Sequence, residues 1–135
     1  AETCHLVFGT LHTNSAPGTI NRIIDVFSGQ EQAQVRAQLA SSLIAVVSQT
    51  LIPKIGGGKV ATQEILITNP AVSNQIREDK VHQLYSQMQL NQQATGMTTQ
   101  TQELVEYLKQ KVISKDSAVQ YSNRPEELLN IIKNL

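Results

Sequence analysis

The sequence has one cysteine and no tryptophan, and its charges cancel, with 11 Lys and Arg residues against 11 Asp and Glu residues. One cysteine cannot form an internal disulfide or a CxxC-type zinc site, which excludes a small secreted scaffold held by disulfides. A net charge of zero excludes broad electrostatic attraction to nucleic acid or anionic lipid and leaves room only for a local patch. No apolar run approaches the roughly 20 residues that a membrane-spanning helix needs. We therefore predict neither nucleic-acid binding nor a membrane span.

What the sequence does contain is enough apolar material for one packed domain. Its 135 residues are typical of a single domain, and a hydrophobic content of 40% argues against a disordered chain. It begins AETCHLVFGT, without an initiator Met, a basic segment or a signal-peptide cleavage pattern. We therefore expect the chain to be a piece from the middle of something longer.

The first half of the chain predicts a strand, two helices and a β-hairpin. The apolar run 5–11 is typical of a strand buried on both faces, as in a parallel sheet. Apolar residues at helical spacing predict one helix over 20–27 and a second, longer one over 35–51. Two β-rich arms around three glycines predict a hairpin within 51–67.

The second half predicts helices only. Asn69 and Pro70 are a cap and a first-turn residue, and Thr99 with Gln102 resembles a capping box. The helical stripes cover residues 70–76, 81–88, 104–112, 116–121 and 128–135. A single strand and a hairpin make a poor sheet, so we expect an α/β layer whose other strands are missing. We divide the chain into an α/β part, 1–68, and a helical part, 69–135.

The run Gly56-Gly57-Gly58-Lys59 is not a phosphate loop. The pattern G-x-x-x-x-G-K-[ST] requires Gly at position 53 and Ser or Thr at position 60, where this sequence has Pro53 and Val60. The run also lies between two strand-like arms. It is the predicted tip of the hairpin.

The histidines and the cysteine offer one candidate site. Adjacent residues on a strand point to opposite faces, so Cys4 and His5 are a poor nucleophile and base, and His5 with His12 is a poor metal pair. His82, among polar neighbours, is predicted to be exposed. His12 ends the predicted strand, where ligands bind in open α/β sheets, and its imidazole can donate to a phosphate or orient a water. From the residues alone, a functional and a structural role for His12 both remain open.

The stretch HLVFGTLHTNSA (5–16) resembles the His box of the secretion and pilus motor ATPases, which are RecA-like P-loop proteins that form hexameric rings. The resemblance continues through 19–27 and 35–51. AVSNQIRE (71–78) is similar to the AIRNLIRE motif of the ATPases that retract type IV pili in twitching motility. YSQMQLNQQATGMTTQ (85–100) is similar to the YSxIQTGxxxGMQT region of the family. The resemblance reaches about residue 113 and fades after it.

The resemblance implies a fold and a nucleotide site. The chain would be the C-terminal half of a RecA-like ATPase core followed by an all-helical region, in a motor that uses ATP and Mg²⁺. His12 is implied as the catalytic sensor of the γ-phosphate, with Thr10 and Thr13 beside it in the nucleotide site. The phosphate loop, the Walker B glutamate and the trans-acting arginines would precede residue 1, with Glu2 in the helix after Walker B. We therefore expect this chain alone to lack ATPase activity.

The resemblance also implies partners: a homo-hexamer in the cytoplasm, peripheral to the inner membrane, where it meets pilus base proteins. The residues matched to the retraction motif are Ala71, Val72, Ser73, Asn74, Gln75, Ile76, Arg77 and Glu78. Ser73 and Gln75 depart from the Arg and Leu of that motif, and Cys4 stands where the family has a Gly that ends a helix. We interpret Arg77 and Glu78 as mechanical or interface residues; a solvated ion pair is the alternative.

Two other functions remain open. Residues 70–135 could form a non-catalytic helical interaction module that binds a pilus base protein. Within the motor family, the extension and type II secretion branch is the other possibility, although that branch usually carries a four-cysteine zinc motif and this chain has only Cys4.

Overall fold

Helices and one β-hairpin make up the chain in a computed structural model that describes residues 1, 3–90 and 92–134. The elements are α1 (Ala16–Asp25), α2 (Gln32–Ser42), β1 (Ala45–Pro53), β2 (Lys59–Ile67), α3 (Pro70–Arg77), a 3-10 turn (Val81–Gln83), α4 (Leu84–Met88), α5 (Gln92–Thr95), α6 (Gln100–Lys109), α7 (Lys115–Tyr121) and α8 (Pro125–Lys133). The predicted α/β class and the helical second half are confirmed. The predicted roles of Glu2 and of Leu135 in the last stripe lie outside the described residues.

The hairpin is the sheet that positions the other elements. β1 and β2 pair antiparallel, from Ala45 opposite Ile67 to Pro53 opposite Lys59. The tip at 56–58 has φ values of +86°, +105° and +76°, a conformation that glycine adopts at little cost. The predicted hairpin is confirmed, with a first arm that begins six residues earlier than expected.

The predicted helix over 35–51 is wrong in its second half. α2 ends at Ser42, and the chain then becomes β1. Along β1, Val46 and Ile52 are buried while Val47 and Leu51 are 59% and 50% exposed, a period of two. Val47 and Leu51 are four positions apart and share a face in a strand as they would in a helix, and pairing with β2 decides between the two structures.

The predicted buried strand at 5–11 is also wrong. The segment carries no strand assignment, and Leu6, Val7 and Phe8 are 69%, 63% and 88% exposed. A strand forms only against a hydrogen-bonding neighbour, and in the described part of the chain β1 and β2 pair with each other. The segment therefore carries strand-forming residues without a partner strand.

Two hydrophobic clusters hold the structure together. The first contains Ala16, Ile20, Ile24, Ala40, Val46, Leu66, Val72, Ile76, Val81, Leu84, Met88 and Met97. The second contains Ile52, Leu104, Ile113, Ala118 and Leu128. Each cluster takes residues from both sides of position 68, so the sheet and the helical region pack against each other. The division into two parts stays a prediction.

Helix starts follow the local signals in the sequence. Ser15 caps α1, where the Gly18 amide donates to its hydroxyl, and Pro17 lies in the first turn. Asn69 caps α3 through the Val72 amide at 2.9 Å, and Thr99 opens α6 with the predicted capping box. The predicted helices at these positions are confirmed.

Candidate functional site

An open cleft of about 860 Å³ lies between residues 12–14 and α1. Its lining residues are His12, Thr13, Asn14, Gly18, Asn21, Arg22, Asp25 and Val26. His12 is exposed at the edge of this cleft, outside both hydrophobic clusters. The geometry thus leaves the imidazole free to meet a ligand from solvent.

Hydrogen bonds fix the loop that carries His12. The hydroxyls of Thr13 and Thr19 lie 2.6 Å apart, and Thr19 also donates to the carbonyl of Ser15 at 2.9 Å. From the sheet, the Ser48 hydroxyl donates to the carbonyl of Thr13 at 3.4 Å. The backbone just after His12 is therefore held by both α1 and β1.

The cleft carries groups that suit an anionic, phosphate-like ligand. An imidazole, the Arg22 guanidinium and the Asn14 and Asn21 side chains supply donors around one opening. Asp25 adds one carboxylate to the lining. Among the residues that the structure describes, no group of three His, Cys, Asp or Glu side chains is placed to hold a metal ion.

Of the three predicted nucleotide-site residues, the structure brings two together. His12 and Thr13 line the cleft, whereas Thr10 is exposed and outside its lining. Sequence reasoning missed the other lining residues, three of which are Gly18, Arg22 and Asp25. Their spacing of four and three places them on one polar face of α1, opposite the buried Ile20 and Ile24, and this spacing could have identified them.

The retraction-motif residues form α3 and its end, away from the cleft. Val72 and Ile76 are fully buried in the first cluster. Ser73 donates to the carbonyl of Ala40 on α2 at 2.8 Å. Arg77 and Glu78 are exposed. One face of the motif is therefore structural and the other is presented to solvent.

The end of α3 is a tight turn with two ion pairs. Asp79 has φ of +60°, and the Lys80 amide donates back to the Gln75 carbonyl at 2.7 Å, as in a Schellman motif. Asp79 pairs with Arg36 of α2 at 3.0 Å. Lys80 pairs with Glu78 at 2.6 Å, and its hydrogen bond and charge lower the pKa of the Glu78 carboxyl.

Cys4 adopts the left-handed conformation, with φ of +63°, and it is exposed. A side chain in that conformation costs roughly 1–2 kcal/mol, which glycine avoids. The departure from glycine noted in the sequence therefore falls where glycine is favoured. His82 is exposed, as predicted.

Among the described helices, none has both the length and the apolar character that crossing a membrane requires.

Comparisons with known proteins point to one family. The family model described as "Type II/IV secretion system protein" matches residues 1–126. The chain is 52% identical over 126 residues to the type IV pilus retraction ATPase PilT of Pseudomonas aeruginosa. It is 47% identical over 129 residues to a twitching motility protein of Neisseria gonorrhoeae. These matches cover 93% and 95% of this chain but 36% and 34% of the relatives, so the chain spans about a third of their length.

A solved structure has the same fold. The crystal structure of the pilus retraction motor PilT with bound ADP superposes with a TM-score of 0.86 at 48% identity. The match covers 96% of this chain and 36% of the motor. The predicted α/β fold is confirmed, since it matches a part of this solved structure.

Proposed function

The chain belongs to the type II/IV secretion system protein family, and from that premise we propose that it is the C-terminal portion of a motor ATPase that retracts type IV pili. The full motor would couple ATP hydrolysis to retraction and so drive twitching motility. The names of the relatives from P. aeruginosa and N. gonorrhoeae support this proposal. The similarity to a retraction motor that binds ADP supports a nucleotide as ligand.

One observation carries the proposal for this chain's own residues: His12 is exposed on an open cleft while the backbone beside it is fixed. A neutral imidazole can donate a hydrogen bond from one ring nitrogen and accept at the other. Such a group distinguishes a nucleotide that keeps its terminal phosphate from one that has lost it. His12 is therefore the proposed sensor of the γ-phosphate, and Thr13 holds its loop through Thr19.

The residues present fit one side of a nucleotide site and not a complete one. His12, Asn14 and Arg22 supply hydrogen-bond donors, but the sequence has no G-x-x-x-x-G-K-[ST] phosphate loop. Bound Mg²⁺ neutralises charge on the phosphates in such motors. Its ligands and the phosphate cradle would come from other parts of the motor, so this chain alone is expected not to hydrolyse ATP.

The proposed assembly is a homo-hexamer on the cytoplasmic side of the inner membrane, in contact with pilus base proteins. Retraction would follow from nucleotide-dependent movement across subunit interfaces. Arg77 and Glu78, exposed at the end of a buried helix, are the proposed mechanical contacts of the retraction motif.

Two observations favour this function over its alternatives. Both hydrophobic clusters join the helical region to the hairpin, an arrangement that does not favour a separate interaction module. The names of the relatives at 52% and 47% identity favour retraction over the extension and type II secretion branch.

The test uses a chimeric motor in which this chain replaces the matching 36% of the P. aeruginosa retraction ATPase. His12→Ala is expected to lower kcat for ATP hydrolysis by about 10²–10³-fold, typical for the loss of one hydrogen-bond donor to the reacting group. His82→Ala, an exposed histidine on the 3-10 turn, is the matched control and should leave kcat unchanged. Equal rates for the two variants would contradict the assignment.

A further inference from the structure

Glu64 is a buried carboxylate that sits at the start of two helices. It lies in the middle of β2 with 1% of its surface exposed. One carboxylate oxygen accepts from the Ala16 amide of α1 at 2.8 Å, and the other accepts from the Gln100 amide of α6 at 3.3 Å. Each of these residues is the first of its helix, where free amides and the helix dipole favour a negative charge.

Asn123 joins this carboxylate to the His12 loop. It lies between α7 and α8, and its side-chain amide donates to Glu64 at 3.1 Å and to the carbonyl of Asn14 at 3.0 Å. The backbone amide of Asn123 donates to the Gln100 side chain at 2.8 Å. One asparagine of the helical region thus contacts both the buried carboxylate and the backbone two residues after His12.

These donors satisfy both side-chain oxygens of Glu64. Neither of the two ion pairs in the described part of the chain includes it. Three N–H groups from α1, α6 and the α7–α8 connection converge on one carboxylate, so a movement of the helical region changes the hydrogen bonds at the start of α1. The first residue of α1, Ala16, is four positions after His12.

We propose that Glu64 and Asn123 are positioning residues for His12, through which the C-terminal helices set the position of the imidazole. The inference rests on the proposed function for its role in ATP turnover, but the contacts are independent of it. Glu64 accepts from the amide of the first residue of α1, and Asn123 joins the carbonyl of Asn14 to the helical region. The position of the His12 loop thereby depends on the position of the C-terminal helices as well as on the bound nucleotide.

The first test uses the 135-residue chain and NMR of the His12 ring. Asn123→Ala is expected to shift the His12 ring resonances and the Ala16 amide, while Asn130→Ala, an exposed asparagine of α8, leaves them in place. Glu64→Gln keeps the size of the side chain and should shift the same signals. A merely structural network would lower the unfolding midpoint and leave the ring resonances unchanged, which would overturn the proposal.

The second test uses the chimeric motor and separates this inference from the proposed function. Asn123→Ala is expected to lower kcat for ATP hydrolysis by about 3- to 30-fold, a range typical of coupled sites, with KM unchanged. In a His12→Ala background it should have no further effect. An equal loss in both backgrounds would overturn the role of Asn123 while leaving His12 as sensor. Full activity of His12→Ala would instead contradict the proposed function.

Discussion

The hydroxyl of Ser73 on α3 donates to the main-chain carbonyl of Ala40 on α2 at 2.8 Å. Ser73 is one of the positions where the sequence departs from the retraction motif of the family it resembles. Its hydrogen bond ties the motif to the neighbouring helix, beside the buried Val72 and Ile76. Ser73 therefore has a structural role here, and the proposed mechanical contacts of the motif are its exposed residues, Arg77 and Glu78.

Mutations on the buried and the exposed face of the retraction-motif helix should have different effects on the free energy of unfolding. Ile76→Ala leaves a cavity in the first hydrophobic cluster and should reduce the free energy of unfolding by about 2–5 kcal/mol. Arg77→Ala removes an exposed side chain and should change it by less than about 0.5 kcal/mol. Urea denaturation of the chain measures both.

In the chimeric motor, Arg77→Ala should abolish retraction while ATP hydrolysis continues. Lys109→Ala, which removes an exposed charge at the end of α6 and outside the motif, is the matched control and should leave retraction unchanged. Normal twitching by the Arg77 variant would show that the residue is only a solvated charge.

The backbone conformation of Asp79, in the turn after α3, predicts that glycine is more stable than alanine at this position. Asp79 has φ of +60°, so Asp79→Gly should be more stable than Asp79→Ala by about 1 kcal/mol. Both variants lose the pair with Arg36, so their difference isolates the backbone term. As control, Ala37→Gly in α2 should destabilise the chain by about 1 kcal/mol. If Asp79→Ala were as stable as Asp79→Gly, the left-handed turn would be refuted.

Alkaline pH should weaken the native state through Tyr85. Burial raises the pKa of this phenol above its ordinary value of 10.0, against the lowering effect of its hydrogen bonds with Thr101 and Thr99. A raised pKa means that the contribution to stability is present below the pKa of the unfolded chain and is lost as pH rises through the folded value.

The measurement is the free energy of unfolding in urea from pH 8 to pH 11, for the wild type and Tyr85→Phe. At pH 8 the wild type should be more stable, because the hydroxyl donates to the Glu127 carboxylate at 3.1 Å and accepts from the Thr101 hydroxyl at 3.2 Å. The difference should shrink as pH rises. A difference that stays constant across the range would argue against a raised pKa in the native state.

Elements with local signals could be predicted from the sequence. Asn69 and Thr99 cap their helices through residues three positions away, so the pattern that predicts the cap also forms it. The identity of β1 depends on pairing with β2, and apolar residues at 46, 47 and 51 suit either structure. Residues 5–11 have strand composition, but composition does not supply a neighbouring strand.

The candidate site also combines a residue that the sequence could predict with contacts that it could not. His12 was found from its place after an apolar run and from a family resemblance. The Glu64 network joins residues up to 109 positions apart, from Asn14 to Asn123, and no spacing in the sequence announces such contacts. Only the packing of α1, α6 and the α7–α8 connection on one strand brings them together.

The most direct test of the account is the position of the His12 ring relative to a bound nucleotide. A structure of the chimeric motor with a non-hydrolysable ATP analogue should place an imidazole nitrogen about 2.7–3.2 Å from an oxygen of the terminal phosphate, or one water away. With ADP that contact should be absent and the ring should turn toward solvent. A ring that lies beyond the reach of one bridging water from the phosphate in both states would contradict the account.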